Sequence, residues 1–114
     1  MAAEKVRPED VNFMATYGKG LICVPLKESN AQNLSLDEMV KKNTDVFRTN
    51  FTISVDAIDT TTGISAKERA HTIQMLANDK ATDRDFRKPG HIFPLIAQEG
   101  GVLKRAGHTE ASID

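Results

Sequence analysis

The segment Phe51-Thr-Ile-Ser-Val-Asp-Ala57 alternates apolar and polar residues along its whole length. Side chains of an extended chain point to opposite faces in turn, so the pattern predicts a strand with Phe51, Ile53, Val55 and Ala57 on one face. Soon afterwards comes Ser65-Ala-Lys-Glu68, which has the spacing of a capping box. There a serine oxygen and a glutamate carboxylate satisfy amides left open at a helix start. Ala66, Ala70, Ile73, Leu76 and Ala77 then form an apolar stripe, which predicts a helix to about Asn78.

Other elements follow the same logic. Pro8 suits a first helical turn, where its missing N–H costs nothing, and Val11, Phe13, Met14 and Tyr17 recur at near-helical spacing, predicting a helix from Pro8 to Tyr17. Leu21-Ile-Cys-Val24, between Gly20 and Pro25, predicts a buried strand, and burial on both of its faces suits a sheet covered by helices. Lys27 to Asn43 supports one or two short helical turns. Thr82 to Arg87 is a charged connector, Ile92 to Ile96 a short strand interrupted by Pro94, and Gly100-Gly101 a turn before Val102-Leu103.

With 114 residues the chain is long enough for one core, since at this size roughly 60 to 70% of the unfolded surface can be buried. Its 15 basic and 16 acidic residues leave a net charge of −1. No basic stripe is available to neutralise nucleic-acid phosphates, and no polybasic patch for a membrane surface, so neither is expected as a partner. Cys23 is a single cysteine, which excludes an internal disulfide, and with no leader or long apolar run the expected location is the cytoplasm.

Candidate chemistry concentrates in the last quarter. His91 follows Pro89-Gly90 and precedes an apolar run, where a turn can aim its imidazole into a cleft. The alternative is a histidine that satisfies a loop carbonyl, and spacing alone leaves both open. Arg105-Ala-Gly-His-Thr109 joins a cation, a glycine that permits close backbone approach, an imidazole and a hydroxyl able to cap a helix. Free amides at a helix start bind phosphate, and Arg105 adds charge, although an ordinary N-cap beside a solvated arginine fits as well. His108 could ligate a divalent metal given carboxylate or water partners. His71, beside the apolar stripe of its helix, is given no role, and Cys23 reads as a small buried hydrophobe.

Taken together, Thr61-Thr-Gly-Ile-Ser-Ala66, Arg87-Lys-Pro-Gly-His-Ile-Phe-Pro-Leu95 and Gly100-Gly-Val-Leu-Lys-Arg-Ala-Gly-His-Thr-Glu-Ala111 resemble the 3,4-dihydroxy-2-butanone-4-phosphate synthases of riboflavin biosynthesis. The resemblance also takes in Asn12 to Cys23, Asn43-Thr-Asp and Phe51 to Asp56, so it spans nearly the whole chain. It implies an α/β (α+β) fold with a mixed sheet flanked by helices, working as a homodimer. The implied activity is a Mg²⁺-dependent lyase, with Mn²⁺ as a possible substitute, that converts D-ribulose 5-phosphate into L-3,4-dihydroxy-2-butanone 4-phosphate and formate. Carried over by motif, His91 is the essential catalytic histidine. Arg105, Ala106, Gly107, His108 and Thr109 bind the sugar phosphate, and His108 is also the metal ligand. Cys23 and Thr62 border the implied site without an assigned role.

Two features of the family pattern are missing. An acidic loop that supplies the other metal ligand and several carboxylates has no counterpart here, and neither have the C-terminal strands, one of which carries a further essential glutamate. The expectation is therefore residues 1–114 as a partial synthase domain with little or no activity alone. Two alternatives accompany it: a non-enzymatic subunit that docks onto a complete synthase, and one half of a split enzyme.

Overall fold

The fold is seen in a computed structural model, which describes residues 2–18, 20–42, 44 and 50–97. Pro8 opens helix α1 (Pro8–Phe13), where the Asp10 carboxylate accepts the Arg7 N–H at 3.0 Å. The expected helix to Tyr17 ends earlier: Met14–Gly18 is a wider π turn. Only Val11 of the apolar set is buried, while Phe13, Met14 and Tyr17 are exposed, so their spacing does not mark a core-facing stripe. The Phe13 and Tyr17 rings pack on each other instead, with centroids 4.7 Å apart.

Strand β1 (Cys23–Leu26) starts two residues later than the apolar run suggests. Ile22, Val24 and Leu26 point into the core, Cys23 and Pro25 are half-buried, and Leu21 is 62% exposed, so burial alternates rather than covering both faces. A short helix α2 (Glu28–Asn33) follows, as expected of the mixed segment. Ser35 closes this connection at a positive φ of 54°, and the Lys88 ammonium caps the freed carbonyls of Leu34 and Ser35 at 3.1 and 3.0 Å.

The predicted strand at 51–57 is regular only as β2 (Val55–Ala57), preceded by isolated bridges at Phe51 and Thr52. Its predicted faces are also corrected. Thr52, Ser54 and Asp56, the polar members of the alternation, are buried, whereas Phe51 and Ile53 are only half-buried. The reason is tertiary: β3 (Phe86–Ile96) covers this segment, and backbone and side-chain groups of the two satisfy each other. Strand β3 is longer than the predicted Ile92–Ile96 and takes in the end of the charged connector, whose Asp83–Asp85 forms a 3₁₀ turn. Pro94 is tolerated within it because its carbonyl still accepts the Thr52 N–H at 3.0 Å.

The three strands form a mixed sheet in the order β1-β3-β2, with β1 parallel and β2 antiparallel to β3. Helix α3 (Ala66–Leu76) packs on β2 and against α1, burying Ala70, Ile73 and Leu76 of the predicted stripe. Thr72 is equally buried. Its hydroxyl accepts the Ala57 N–H at 2.9 Å and donates to the Glu68 carbonyl at 3.1 Å, tying helix to sheet. The expected turn at Gly100-Gly101 lies outside the described residues.

Candidate active site

The ladder between β2 and β3 breaks at one point. Val55 lies opposite Ile92 but Asp56 lies opposite Arg87, so Lys88, Pro89, Gly90 and His91 form an excursion within β3. Gly90 permits it. A Cβ there would stand 2.1 Å from the Val55 carbonyl carbon and 2.3 Å from the Asp56 nitrogen, and the Gly90 N–H donates to Ser54 Oγ at 3.0 Å. His91 is thus aimed by an excursion inside a strand rather than by a turn at a strand entrance.

The excursion brings His91 onto Asp56. The Asp56 side chain is 3% exposed; its Oδ1 accepts the His91 N–H at 2.8 Å, and its Oδ2 lies 3.0 Å from His91 Nδ1. The His91 side chain keeps 41% of its surface exposed. Arg87 Nη2 approaches the same Oδ2 at 4.0 Å. Gly63, with φ of 82°, lies so close that a Cβ would fall 2.2 Å from Asp56 Oδ2.

The loop carrying Gly63 is gripped from both ends. Arg87 donates to Thr60 O, Thr60 Oγ1 and Thr61 O at 3.3, 3.1 and 2.8 Å. The Glu68 carboxylate accepts the Thr61 N–H, and it takes the Thr61 hydroxyl at 3.0 Å and the Gly63 N–H at 3.1 Å. These bonds, the Thr61 amide first, hold the Glu68 carboxyl below its ordinary value. The capping box is consequently half realised: Ser65 Oγ accepts the Glu68 N–H at 3.1 Å, but the glutamate carboxylate serves the preceding loop. Thr62 between the clamped residues is exposed, and its hydroxyl oxygen accepts a long 3.4 Å bond from the Ile64 N–H.

Of the sequence candidates, His91 sits at this centre, and Arg105, Ala106, Gly107, His108 and Thr109 lie outside the described residues. Cys23 lines an apolar cleft with Phe13, Met14 and Ile73. Burial pushes its thiol above the ordinary value, which suits the hydrophobe reading better than a nucleophile. His71 is more engaged than a border residue need be, with Nε2 2.9 Å from Asp59 Oδ1. Sequence reasoning missed Asp56 and the tasks of Arg87 and Gly63. The available signal was an aspartate inside an otherwise uncharged strand pattern. Among the described residues no group of three His, Cys, Asp or Glu side chains could hold a metal ion.

A carboxylate-backed histidine on a mixed sheet, beside a clamped threonine loop, defines an α/β domain equipped for acid-base chemistry. Residues 1–114 match the family model of 3,4-dihydroxy-2-butanone 4-phosphate synthase, and the chain belongs to that family. It is 60% identical over 112 residues to the riboflavin biosynthesis protein RibBA of Bacillus mycoides (strain KBAB4) and 59% identical to that of Bacillus cytotoxicus. Each alignment covers 98% of this chain and 28% of the relative, so the chain spans little more than a quarter of their length. Among solved structures it is similar to a 3,4-dihydroxy-2-butanone 4-phosphate synthase in complex with two magnesium ions. The TM-score is 0.95 at 49% identity, covering 99% of this chain and 53% of that one. RibBX of A. baumannii, a two-domain synthase, gives 0.91 at 50% identity over 97% of this chain and 33% of its own.

Proposed function

We propose that the protein serves riboflavin biosynthesis as a 3,4-dihydroxy-2-butanone-4-phosphate synthase, acting on D-ribulose 5-phosphate to give L-3,4-dihydroxy-2-butanone 4-phosphate and formate. The observation that carries this reading, beside family membership, is His91: its ring is anchored on one edge by a buried carboxylate and open to solvent on the rest. Removing a proton from the carbon beside a ketone needs a base held still at the substrate, and an imidazole nitrogen can take that proton. His91 supplies that base and returns the proton later in the sequence. Arg105, Ala106, Gly107, His108 and Thr109 are proposed to bind the sugar phosphate, and Thr62, exposed on the clamped loop, keeps no assigned role.

Mg²⁺, or Mn²⁺ in its place, is proposed as the metal because a related structure is described as holding two magnesium ions. Such an ion would polarise the adjacent oxygens of the substrate, with His108 as one ligand. Among the described residues no group of three His, Cys, Asp or Glu side chains forms a ligand set for it. A homodimer in the cytoplasm is the proposed working form; among the described residues no helix is long and apolar enough to cross a membrane.

Formate release from ribulose 5-phosphate with Mg²⁺ tests the assignment. In a complete synthase carrying these residues, His91→Ala lowers kcat by roughly 10²- to 10⁴-fold, and a fully active variant would exclude His91 as the base. The 114-residue chain alone is expected to release little or no formate, given the share of its relatives that it spans. Turnover close to that of a complete enzyme would overturn that expectation.

A further inference from the structure

We infer that Arg69 is an oxyanion-binding residue: from the inner face of α3 its guanidinium takes the oxygens of a phosphate or carboxylate group supplied from outside the described residues. A helix turns by about 100° per residue, which sets Arg69 within about 40° of both Ile73 and Leu76 on its circumference. Those two are buried, and so are Ala70 and Thr72. An arginine therefore stands near the middle of the stripe that packs against the rest of the domain. One turn before it, Ser65 caps the helix, and the Ser65 carbonyl accepts the Arg69 N–H at 2.9 Å. One turn after it, Ile73 lines the apolar cleft with Met14 and Cys23.

Arg69 is half-buried, and its Nε is buried without a hydrogen-bond partner. Among the described residues no carboxylate pairs with its guanidinium. The acidic groups around the start of α3 are engaged elsewhere: Asp56 on His91, Asp59 on His71, and Glu68 on Thr61 and Gly63. Arg87 makes the contrast, since its donors are spent on Thr60 and Thr61. An arginine that only covers apolar surface with its stem keeps its head in water. A buried lysine or histidine could shed its proton, but arginine keeps its charge, so a guanidinium stripped of water is unfavourable until an anion meets it. Its planar fork matches two oxygens of one phosphate or carboxylate. Two sources offer them: the phosphate of the proposed substrate, and a carboxylate of a complete synthase, since this chain covers only 53% of the related solved chain.

The substrate source rests on the proposed function, whereas binding of inorganic phosphate needs no turnover. The ¹H–¹⁵N signal of the Arg69 Nε–H is followed in the ¹⁵N-labelled chain as inorganic phosphate is added, with chloride at equal ionic strength as the control. A saturable shift with phosphate alone marks the phosphate source. Arg69→Met keeps the stem and removes the charge. In the 114-residue chain its urea midpoint is expected to be unchanged or higher, because an unpaired buried donor has gone. A lowered midpoint makes Arg69 a structural prop and overturns the proposal. The same variant of a complete synthase separates the sources. With phosphate as the occupant, KM for ribulose 5-phosphate rises roughly ten- to a hundredfold with kcat little changed. With a protein carboxylate as the occupant, the urea midpoint falls in the complete synthase but not in the chain. No phosphate shift, together with unaltered KM and midpoint in the complete synthase, overturns the proposal. A complete synthase that releases no formate while phosphate still shifts the Arg69 signal overturns the proposed function and leaves the anion site standing.

Discussion

Gly90→Ala isolates the close approach on which the site is built. The added Cβ would lie 2.1 Å from the Val55 carbonyl carbon, and both groups are backbone, so no side chain can turn aside. Restoring an ordinary carbon contact near 3.5 Å requires β3 to retreat from β2 by more than about 1 Å. Such a shift stretches the Gly90 N–H bond to Ser54 from 3.0 Å and the His91 N–H bond to Asp56 from 2.8 Å, both beyond useful length. The first is worth about 0.5–1.5 kcal/mol and the second, to a carboxylate, about 1.5–3 kcal/mol. Residual overpacking adds about 1–3 kcal/mol. The expected loss is on the order of 3–7 kcal/mol, comparable to the roughly 5–15 kcal/mol that holds a small domain together. Urea unfolding followed by far-ultraviolet circular dichroism measures it as a lowered midpoint at unchanged slope. A loss below about 0.5 kcal/mol would refute the argument, since ordinary surface changes stay within that size.

Two further outcomes follow from the loop and the helix. Thr72→Val keeps the shape but leaves the buried Ala57 N–H without its 2.9 Å partner, costing about 1–3 kcal/mol in the same urea assay; an unchanged midpoint would show that the bond contributes nothing. The Glu68 carboxyl is depressed in the folded state, so its contribution is complete above the ordinary value of 4.5 and fades as pH falls through the lower folded value. The urea-midpoint gap between the wild-type chain and Glu68→Gln should therefore be full at neutral pH and close in acid, and a gap that stays constant would contradict the assigned loop bonds.

Elements written in local pattern were legible. The Ser65 cap and the Ala70, Ile73, Leu76 stripe of α3 follow from spacing, because a helix is closed by contacts between near neighbours. The β2 segment was legible as extended, but its faces were not. Asp56 occupies a position that alternation assigns to the open face, and it is buried because β3, about thirty residues later in the chain, folds over it. The length of β3 was hidden for a related reason: Pro89, Gly90 and Pro94 are breakers in a local reading, and only pairing with β1 and β2 carries the strand through them. Likewise Glu68 has the capping-box position, yet the loop amides of Thr61 and Gly63 compete for its carboxylate once Arg87 has drawn that loop in.

The sequence by itself determined the family, α3, and His91 as the group to watch, since Arg87-Lys-Pro-Gly-His91 and its companion segments are strings of adjacent residues that need no partner to be read. Only the tertiary structure decided what His91 faces. Asp56, Gly63 and Arg87 are separated along the chain, and a hydrogen bond between an imidazole and a buried carboxylate exists only where two strands slip register and a glycine lets their backbones touch.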